Sequence, residues 1–127
     1  MGVLGNLVLY LRGEAERLLY EVETNFKLLN ASNILTKKSD ATAGLNELYA
    51  GLIKSIRLLR KSKVPPKVIA ELQIDAAKIK GLRNKVKKVT PQNLERLRAL
   101  LLNEVNSAKD TLRLVEHGLV ELARNEN

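Results

Sequence analysis

The sequence contains no cysteine and only one histidine, His117. The lack of cysteine excludes disulfides, thiolate nucleophiles and Cys-ligated metal sites, and it suits a reducing cytosol, so we expect a cytoplasmic protein. A di-metal centre in a helical bundle needs inward-facing Glu and Glu-x-x-His sets, which a single histidine does not supply. Gly-rich phosphate-binding motifs are missing too. We therefore expect neither a metal nor a cofactor.

Long hydrophobic runs are also lacking. The apolar opening of the chain has about 11 residues before Arg12, whereas a membrane span needs roughly 20. No basic region precedes it, so we expect neither a signal peptide nor an anchor. The sequence thus argues against attachment to a membrane. Insertion of this apolar start into anionic lipid beside a basic cluster is an alternative that vesicle binding would test.

Acidic residues are scarce in the middle of the chain. Residues 54–88 hold 12 of the 22 Lys and Arg residues but only 2 of the 14 acids, a net charge of +10, and each flank is net −1. Clustered charge of one sign repels itself in a compact state, so a negatively charged partner is its simplest explanation. Nucleic acid is the leading candidate, and an acidic protein surface is the alternative.

Aromatic residues are few, and none falls in the basic segment. The four are Tyr10, Tyr20, Phe26 and Tyr49. Without aromatic side chains there, the base-stacking platforms of single-strand binders are excluded, which leaves phosphate contacts. Such contacts fix position rather than sequence, so we expect weakly specific, salt-dependent binding.

The apolar residues follow helical spacing in four segments, which predicts an all-α protein. Helix 1 is expected over about 3–31. Helix 2 is expected to begin at Ser39 or Asp40, whose side chains can accept backbone N–H groups, and to end before Pro65. The apolar stripes of these two helices are Leu4, Val8, Leu11, Ala15, Leu18, Val22, Phe26 and Leu29, and then Leu45, Leu48, Leu52, Ile56 and Leu59.

Prolines mark the start of the other two helices. Helix 3 is expected to open at Pro66, and helix 4 at Thr90-Pro91, where threonine is a natural N-cap and proline is tolerated in the first turn. Their stripes are Val68, Leu72, Ala76, Ile79, Leu82 and Val86, and then Leu94, Leu97, Leu101, Val105, Ala108, Leu112, Val115, Leu119 and Leu122.

Four amphipathic helices with short connections, in a single domain of residues 1–127, predict an up-down-up-down antiparallel four-helix bundle. Several apolar side chains of helices 1 and 4 fall outside the stripes and need a wider core or a partner chain. We therefore expect a homo-oligomer, with a dimer of long helical hairpins as the second option. These side chains are Leu9, Tyr10, Tyr20, Leu28, Leu100, Leu102, Leu114 and Val120.

The bundle predicts where the positive charge collects. The connection between helices 1 and 2 should meet the end of helix 3, so the lysines of both should gather at one pole. A second basic cluster should lie toward the opposite pole, around the Pro-Pro turn: Lys54, Arg57, Arg60, Lys61, Lys63 and Lys67. The residues predicted to contact phosphates are Lys37, Lys38, Lys54, Arg57, Lys61, Lys78, Lys80, Arg83, Lys85, Lys87 and Lys88.

One group of residues also allows a catalytic interpretation. His117 lies four residues after Arg113, with Glu116 beside it, and such a trio could perform acid–base chemistry on a phosphodiester. A surface histidine between charged neighbours on a long helix is more often structural. We expect a protein without enzymatic activity: either a nucleic-acid-binding protein or a helical scaffold that binds another chain through apolar faces and a basic surface.

Overall fold

A computed structural model describes residues 2–125, which form four helical rods packed against one another. The first, called the N-terminal rod, consists of α1 (Val3–Tyr10), a π-helical turn (Leu11–Ala15) and α2 (Glu16–Leu28). The other three are α3 (Ile34–Arg60), α4 (Pro66–Val86) and α5 (Leu94–Asn125). No strand occurs within residues 2–125, so the predicted all-helical bundle is confirmed.

The core lies between the rods, along the predicted stripes. Each rod packs against the next one in the chain, and α5 packs against the N-terminal rod. Every stripe residue is buried except Leu97 and Leu122, which are half-buried at its edge. The core also takes in residues that the stripes missed, among them Leu7, Leu19 and Ala41. Burial of an apolar side chain of this size contributes roughly 1.5–3 kcal/mol, so the stripes drive assembly of the rods.

The predicted start of the second rod was wrong. α3 begins at Ile34, because the turn before it is built by Asn30 and Asn33 rather than by Ser39 or Asp40. The Asn33 side chain accepts a hydrogen bond from the Asn30 backbone N–H at 2.8 Å, and the Asn30 side chain accepts one from the Asn33 N–H at 3.0 Å. This reciprocal pairing satisfies backbone N–H groups that a helix start leaves free. The N-terminal rod ends accordingly at Leu28 instead of about residue 31.

The turn before the last rod repeats this arrangement 60 residues later in the chain. Asn93 accepts a hydrogen bond from the Thr90 N–H at 2.7 Å, and Thr90 Oγ1 accepts one from the Asn93 N–H at 3.3 Å. Thr90 thus bonds as a cap, although regular helix begins later than predicted, at Leu94. Asn33 and Asn93 also donate to the carbonyl groups of Leu28 and Lys88, at 2.8 and 3.0 Å.

The same 60-residue correspondence relates the rods. The Lys38 ammonium donates to the carbonyl oxygens of Lys87 and Val89. The Arg98 guanidinium, 60 residues later, donates to those of Lys27 and Leu29. The N-terminal rod with α3 therefore corresponds to α4 with α5, and each half supplies a cation that caps an end of a neighbouring rod. Pro66 opens α4 as predicted, since its missing N–H costs nothing in a first turn.

The apolar residues outside the stripes divide into two groups. Tyr10, Leu102 and Val120 are partly buried against the core. The exposed ones are Leu9, Tyr20, Leu28, Leu100 and Leu114. A wider core therefore accounts for three of these eight residues, and the other five are open to a partner.

Candidate nucleic-acid interface

Charge is divided unequally between two pairs of rods. Residues 34–88, which contain α3 and α4, carry 14 Lys and Arg residues against 4 acids. The rest of the described chain, residues 2–33 and 89–125, carries 8 basic residues against 9 acids. One pair, α3 and α4, is therefore strongly positive, and the other, the N-terminal rod and α5, is nearly neutral.

The nearly neutral pair is joined by ion pairs. Lys109 of α5 pairs with Glu23 in a partly buried contact, and that contact together with Lys27 holds the pKa of Glu23 below its usual value. Two further ion pairs between these rods are Arg12 with Glu116 and Arg113 with Glu16. Three of the nine acids of this pair, Glu16, Glu23 and Glu116, thus join the two rods.

The positive pair contains few such contacts. Of the 12 basic residues in positions 54–88, only Lys67 and Lys85 have an acidic partner in the described chain, Glu71 at 3.9 Å and Glu104 respectively. The ten without one are Lys54, Arg57, Arg60, Lys61, Lys63, Lys78, Lys80, Arg83, Lys87 and Lys88. These charges remain available to an external anion.

Arg83 of α4 contacts α3 at the seam between the two helices. Its Nη1 donates to the Asn46 side chain at 2.9 Å, and its guanidinium carbon lies 5.8 Å from the centre of the Tyr49 ring. Such a cation–π contact contributes roughly 0.5–1 kcal/mol and orients the planar group. Because Tyr49 lies beneath Arg83 and is half-buried, its ring is not an open platform for a base.

Helical phase extends this seam into a stripe of basic residues. Lys80 lies three residues before Arg83, and Lys87, the C-cap residue of α4, lies four after it, so both continue the same side of the helix. On α3, Arg57 and Arg60 lie 11 and 14 residues after Asn46, close to whole numbers of turns. We call Arg57, Arg60, Lys80, Arg83 and Lys87 the basic stripe. At a rise of 1.5 Å per residue, the α3 part extends roughly 21 Å along the helix from Asn46.

The remaining predicted contacts are distributed elsewhere. Lys38 reaches the end of α4, where the sequence predicted it to lie, but its ammonium donates hydrogen bonds to backbone carbonyls. Lys78 bonds Thr111 and Lys85 bonds Glu104, so both turn toward α5. Lys37 is half-buried, and the exposed remainder are Lys54, Lys61 and Lys88. Together with the basic stripe, these positions stay a prediction of phosphate contacts.

Asp75, one of the two acids of residues 54–88, is buried in the core. It is 1 % exposed, and neither carboxylate oxygen has a hydrogen-bond partner among the described residues. Burial raises its pKa to about 7, against a smaller opposing effect of Lys78. The signal was present in the sequence, since Asp75 lies three residues after Leu72 and four before Ile79, at core spacing. Its burial removes one of only two acids from the surface of residues 54–88.

The possible catalytic trio is engaged in the other pair of rods. Arg113 bonds Glu16 at 3.3 Å and Glu116 pairs with Arg12, both in the N-terminal rod, while His117 is exposed. Among residues 2–125, no three His, Asp or Glu side chains lie where they could hold a metal ion. None of the described helices is long and apolar enough to cross a membrane.

Comparison with known proteins adds nothing to these observations. The chain matches no protein-family model, no curated protein and no solved structure. The distribution of charge and the contacts of the basic residues are therefore the observations that bear on function.

Proposed function

We propose that the protein binds nucleic acid without catalysis, through phosphate contacts from the basic stripe and the neighbouring lysines. The observation that carries this proposal is the unequal division of charge. Ten of the 12 basic residues of positions 54–88 have no acidic partner in the described chain, although nine acids lie on the other pair of rods. A fold that needed these cations only for its own stability would pair them, as the N-terminal rod and α5 do.

The form of the stripe favours double-stranded or structured nucleic acid. Its cations lie along α3 and α4 and at the C-terminal end of α4, and they present no open aromatic ring, because Tyr49 is covered by Arg83. Lysine and arginine in such a row neutralise successive phosphates and release counterions, with little reading of base edges. We expect a log–log slope of affinity against salt of about −4 to −5 if roughly five phosphates are neutralised.

Fluorescence anisotropy of labelled duplex DNA, duplex RNA and single strands tests this proposal. The informative variant changes Arg57, Lys80 and Lys87 to Glu, and spares Arg83 because it bonds Asn46. We expect this triple variant to lose at least about tenfold in affinity and most of the salt dependence. Its matched control changes three exposed arginines of the other pair of rods to Glu: Arg17, Arg96 and Arg124.

The control distinguishes a local site from general attraction. Both triple variants change the net charge by the same amount, so an equal loss in both would mean that only the net charge of the protein matters. Absence of binding to every probe at low salt would overturn the proposal. An acidic protein surface would then become the candidate partner of the basic stripe.

The direction of the rods is a finer inference within this proposal. We infer an up-down-up-down order, because the contacts between the N-terminal rod and α5 run in opposite directions along the two rods. Residue numbers rise in one and fall in the other. The contacts are Arg12 with Glu116, Glu16 with Arg113, Glu23 with Lys109, and the carbonyl of Leu29 with Arg98.

We also propose that the protein self-associates. Leu114 is 70 % exposed and Leu9 is 54 % exposed, on the two rods that carry little net charge. Burial of several such side chains is the usual driving force of a helical interface. Light scattering of the purified protein would give the molar mass, and a monomer at high micromolar concentration would contradict self-association.

A further inference from the structure

A groove separates α1 from α3, on the side of α3 away from the basic stripe. Its volume is about 510 Å³, within the range of small-molecule sites. Val3, Leu7 and Leu58 line one end, and Glu14 and Glu47 line the other. The direction follows from the packing: Tyr10 lies against Gly51 and Val22 against Gly44, so passing along α3 from Glu47 to Leu58 leads from Glu14 toward Val3. The groove therefore has an acidic end and an apolar end.

Tyr10 divides these two ends. Its ring lies so close to Gly51 that a Cβ atom at that position would overlap the hydroxyl group. The hydroxyl is buried and has no hydrogen-bond partner among the described residues. Burial, followed by the charges of Glu14 and Glu47, raises the pKa of Tyr10 to about 12. Tyr10, Glu14 and Glu47 line the same groove, so the aromatic ring lies beside the acidic end.

The fold itself does not require this arrangement. By the 60-residue correspondence, Glu47 is replaced by Ser107 and Gly51 by Thr111 on the other half of the bundle. There the Thr111 side chain bonds Lys78 at 3.0 Å, so a side chain is accommodated at the equivalent of Gly51. Gly51 and Glu47 are therefore particular to this groove. Gly51 leaves space for the Tyr10 ring, and Glu47 makes one end of the groove acidic.

The acidic end continues beyond the groove. Glu47 also lines a second hollow of about 480 Å³, together with Glu21 and Asp40. Arg17 pairs with Glu14 and Glu21, at 2.5 and 2.7 Å, whereas Glu47 and Asp40 have no ion pair in the described chain. Lys54, the basic residue of the first cavity, lies seven residues beyond Glu47, roughly 10 Å along α3.

We propose that this groove binds a small organic cation with an apolar body, of the alkylammonium class. The ammonium group lies between Glu14 and Glu47 beside the Tyr10 ring, where a cation is attracted by both carboxylates and by the ring face. The apolar body extends toward Leu7 and Leu58. From Glu47 to Leu58 the groove runs 11 residues, or roughly 16 Å, which accommodates an unbranched chain of eight carbon atoms.

Titration with octylammonium, octanol and octanoate, followed by amide NMR shifts and calorimetry, tests the proposal. These probes share one apolar chain and differ in charge. We expect octylammonium to bind at least about tenfold more tightly than octanol, and octanoate to bind more weakly still, since charge complementarity decides between them. Shifted amides should include Tyr10 and Gly51.

Two variants separate the ends of the groove. Glu47→Gln, at an exposed position, should lose about fivefold or more for octylammonium and leave octanol unchanged. Leu58→Ala should weaken both probes about equally, because it removes only apolar contact. The matched control is Asp110→Asn, an exposed acid of α5 without an ion pair in the described chain, which should change neither.

The proposal is overturned if the three probes bind equally, if Glu47→Gln and Asp110→Asn behave alike, or if shifts fall outside the groove. Failure of all probes to bind at millimolar concentration would overturn it as well. Lys54 lines the groove and is also a predicted phosphate contact, but Glu47 and Leu58 are not. The two groove variants therefore test octylammonium binding without changing a predicted phosphate contact.

Discussion

The two pairs of rods are equivalent in position but different in electrostatics. The 60-residue correspondence exchanges the α3–α4 pair with the pair formed by the N-terminal rod and α5. Arg83 and Tyr49 of the first pair occupy the positions of Glu23 and Lys109 in the second. A cation–π contact therefore stands where the other pair has an ion pair. The same helix arrangement thus occurs twice: most charges are paired between the N-terminal rod and α5 or within them, and most basic residues of α3 and α4 have no acidic partner in the described chain.

This difference shows that the basic residues of α3 and α4 are not a requirement of the bundle. The same packing is achieved by the N-terminal rod and α5 with balanced charge, so burial of the stripes suffices to assemble the rods. Excess charge of one sign instead destabilises the compact state. Only the α3–α4 pair carries this destabilising excess of charge, although the other pair is equivalent in position. Binding of an anion is the best explanation, so we place the candidate interface on α3 and α4.

The largest expected effect concerns Asp75, the buried acid of the positive pair. Its pKa is about 7 when folded and 3.8 in an unfolded chain, so the folded state holds its proton longer. The contribution of Asp75 to the free energy of unfolding is therefore most favourable below about pH 4. It falls as the pH rises and is lost above about pH 7, a change of up to roughly 4 kcal/mol. Asp75→Asn should be more stable than the wild type at about pH 8 and similar to it at about pH 4.

Urea unfolding of both proteins across this pH range measures the difference directly, and subtraction removes the titration of other carboxylates. Asp110→Asn serves as the control, because Asp110 is an exposed acid of α5. Equal stability of Asp75→Asn and wild type at about pH 8 would show that Asp75 is hydrated or paired in solution.

A second prediction compares the two cations that cap helix ends within each pair. Lys38 of α3 caps the end of α4, and Arg98 of α5 caps the end of the N-terminal rod. Arg98 donates to three carbonyl groups, those of Phe26, Lys27 and Leu29, at 2.9, 3.1 and 2.5 Å. Lys38 donates to two, at 2.9 and 2.7 Å. Hydrogen bonds from charged donors are worth more than neutral ones, so we expect Arg98→Met to cost about 2–3 kcal/mol and Lys38→Met about 1–2 kcal/mol.

Thermal unfolding measures both costs, and amide exchange near Leu28 and Val86 locates the frayed ends. Arg96→Met is the control, because Arg96 is exposed and has no hydrogen bond in the described chain. It should change stability by less than about 0.5 kcal/mol. A greater loss for Lys38→Met than for Arg98→Met would reverse the expected order.

The smallest effect is a response to salt of opposite sign in the two pairs. Added salt screens the repulsion within α3 and α4 and also weakens the exposed ion pairs between the N-terminal rod and α5. Amide exchange should slow in α3 and α4 and quicken in the N-terminal rod, each by a few tenths of a kcal/mol. A change of the same sign in both pairs would indicate that salt acts on the fold as a whole.

Local sequence patterns determine most of the architecture. The spacing of apolar residues predicted which face of each rod is buried, because a helix repeats every 3.6 residues whatever it packs against. Pro66 marked the start of α4 for a similarly local reason, the missing N–H of proline. The concentration of positive charge in positions 54–88 is likewise a property of the sequence alone.

The features that the sequence did not reveal depend on groups brought together from different rods. Asp75 has ordinary core spacing, but only the packed neighbours remove it from water and raise its pKa. Lys38 looks like a free surface lysine until the end of α4 places two carbonyl groups beside it. The sequence gives no reason for a glycine at position 51, and the structure supplies one, because the Tyr10 ring occupies the space of its missing side chain. Apolar periodicity is a property of one helix and can be read from the sequence. The dielectric environment of a side chain, its hydrogen-bond partners and its closest packing contacts depend on the neighbouring helices, so only the tertiary structure decides them.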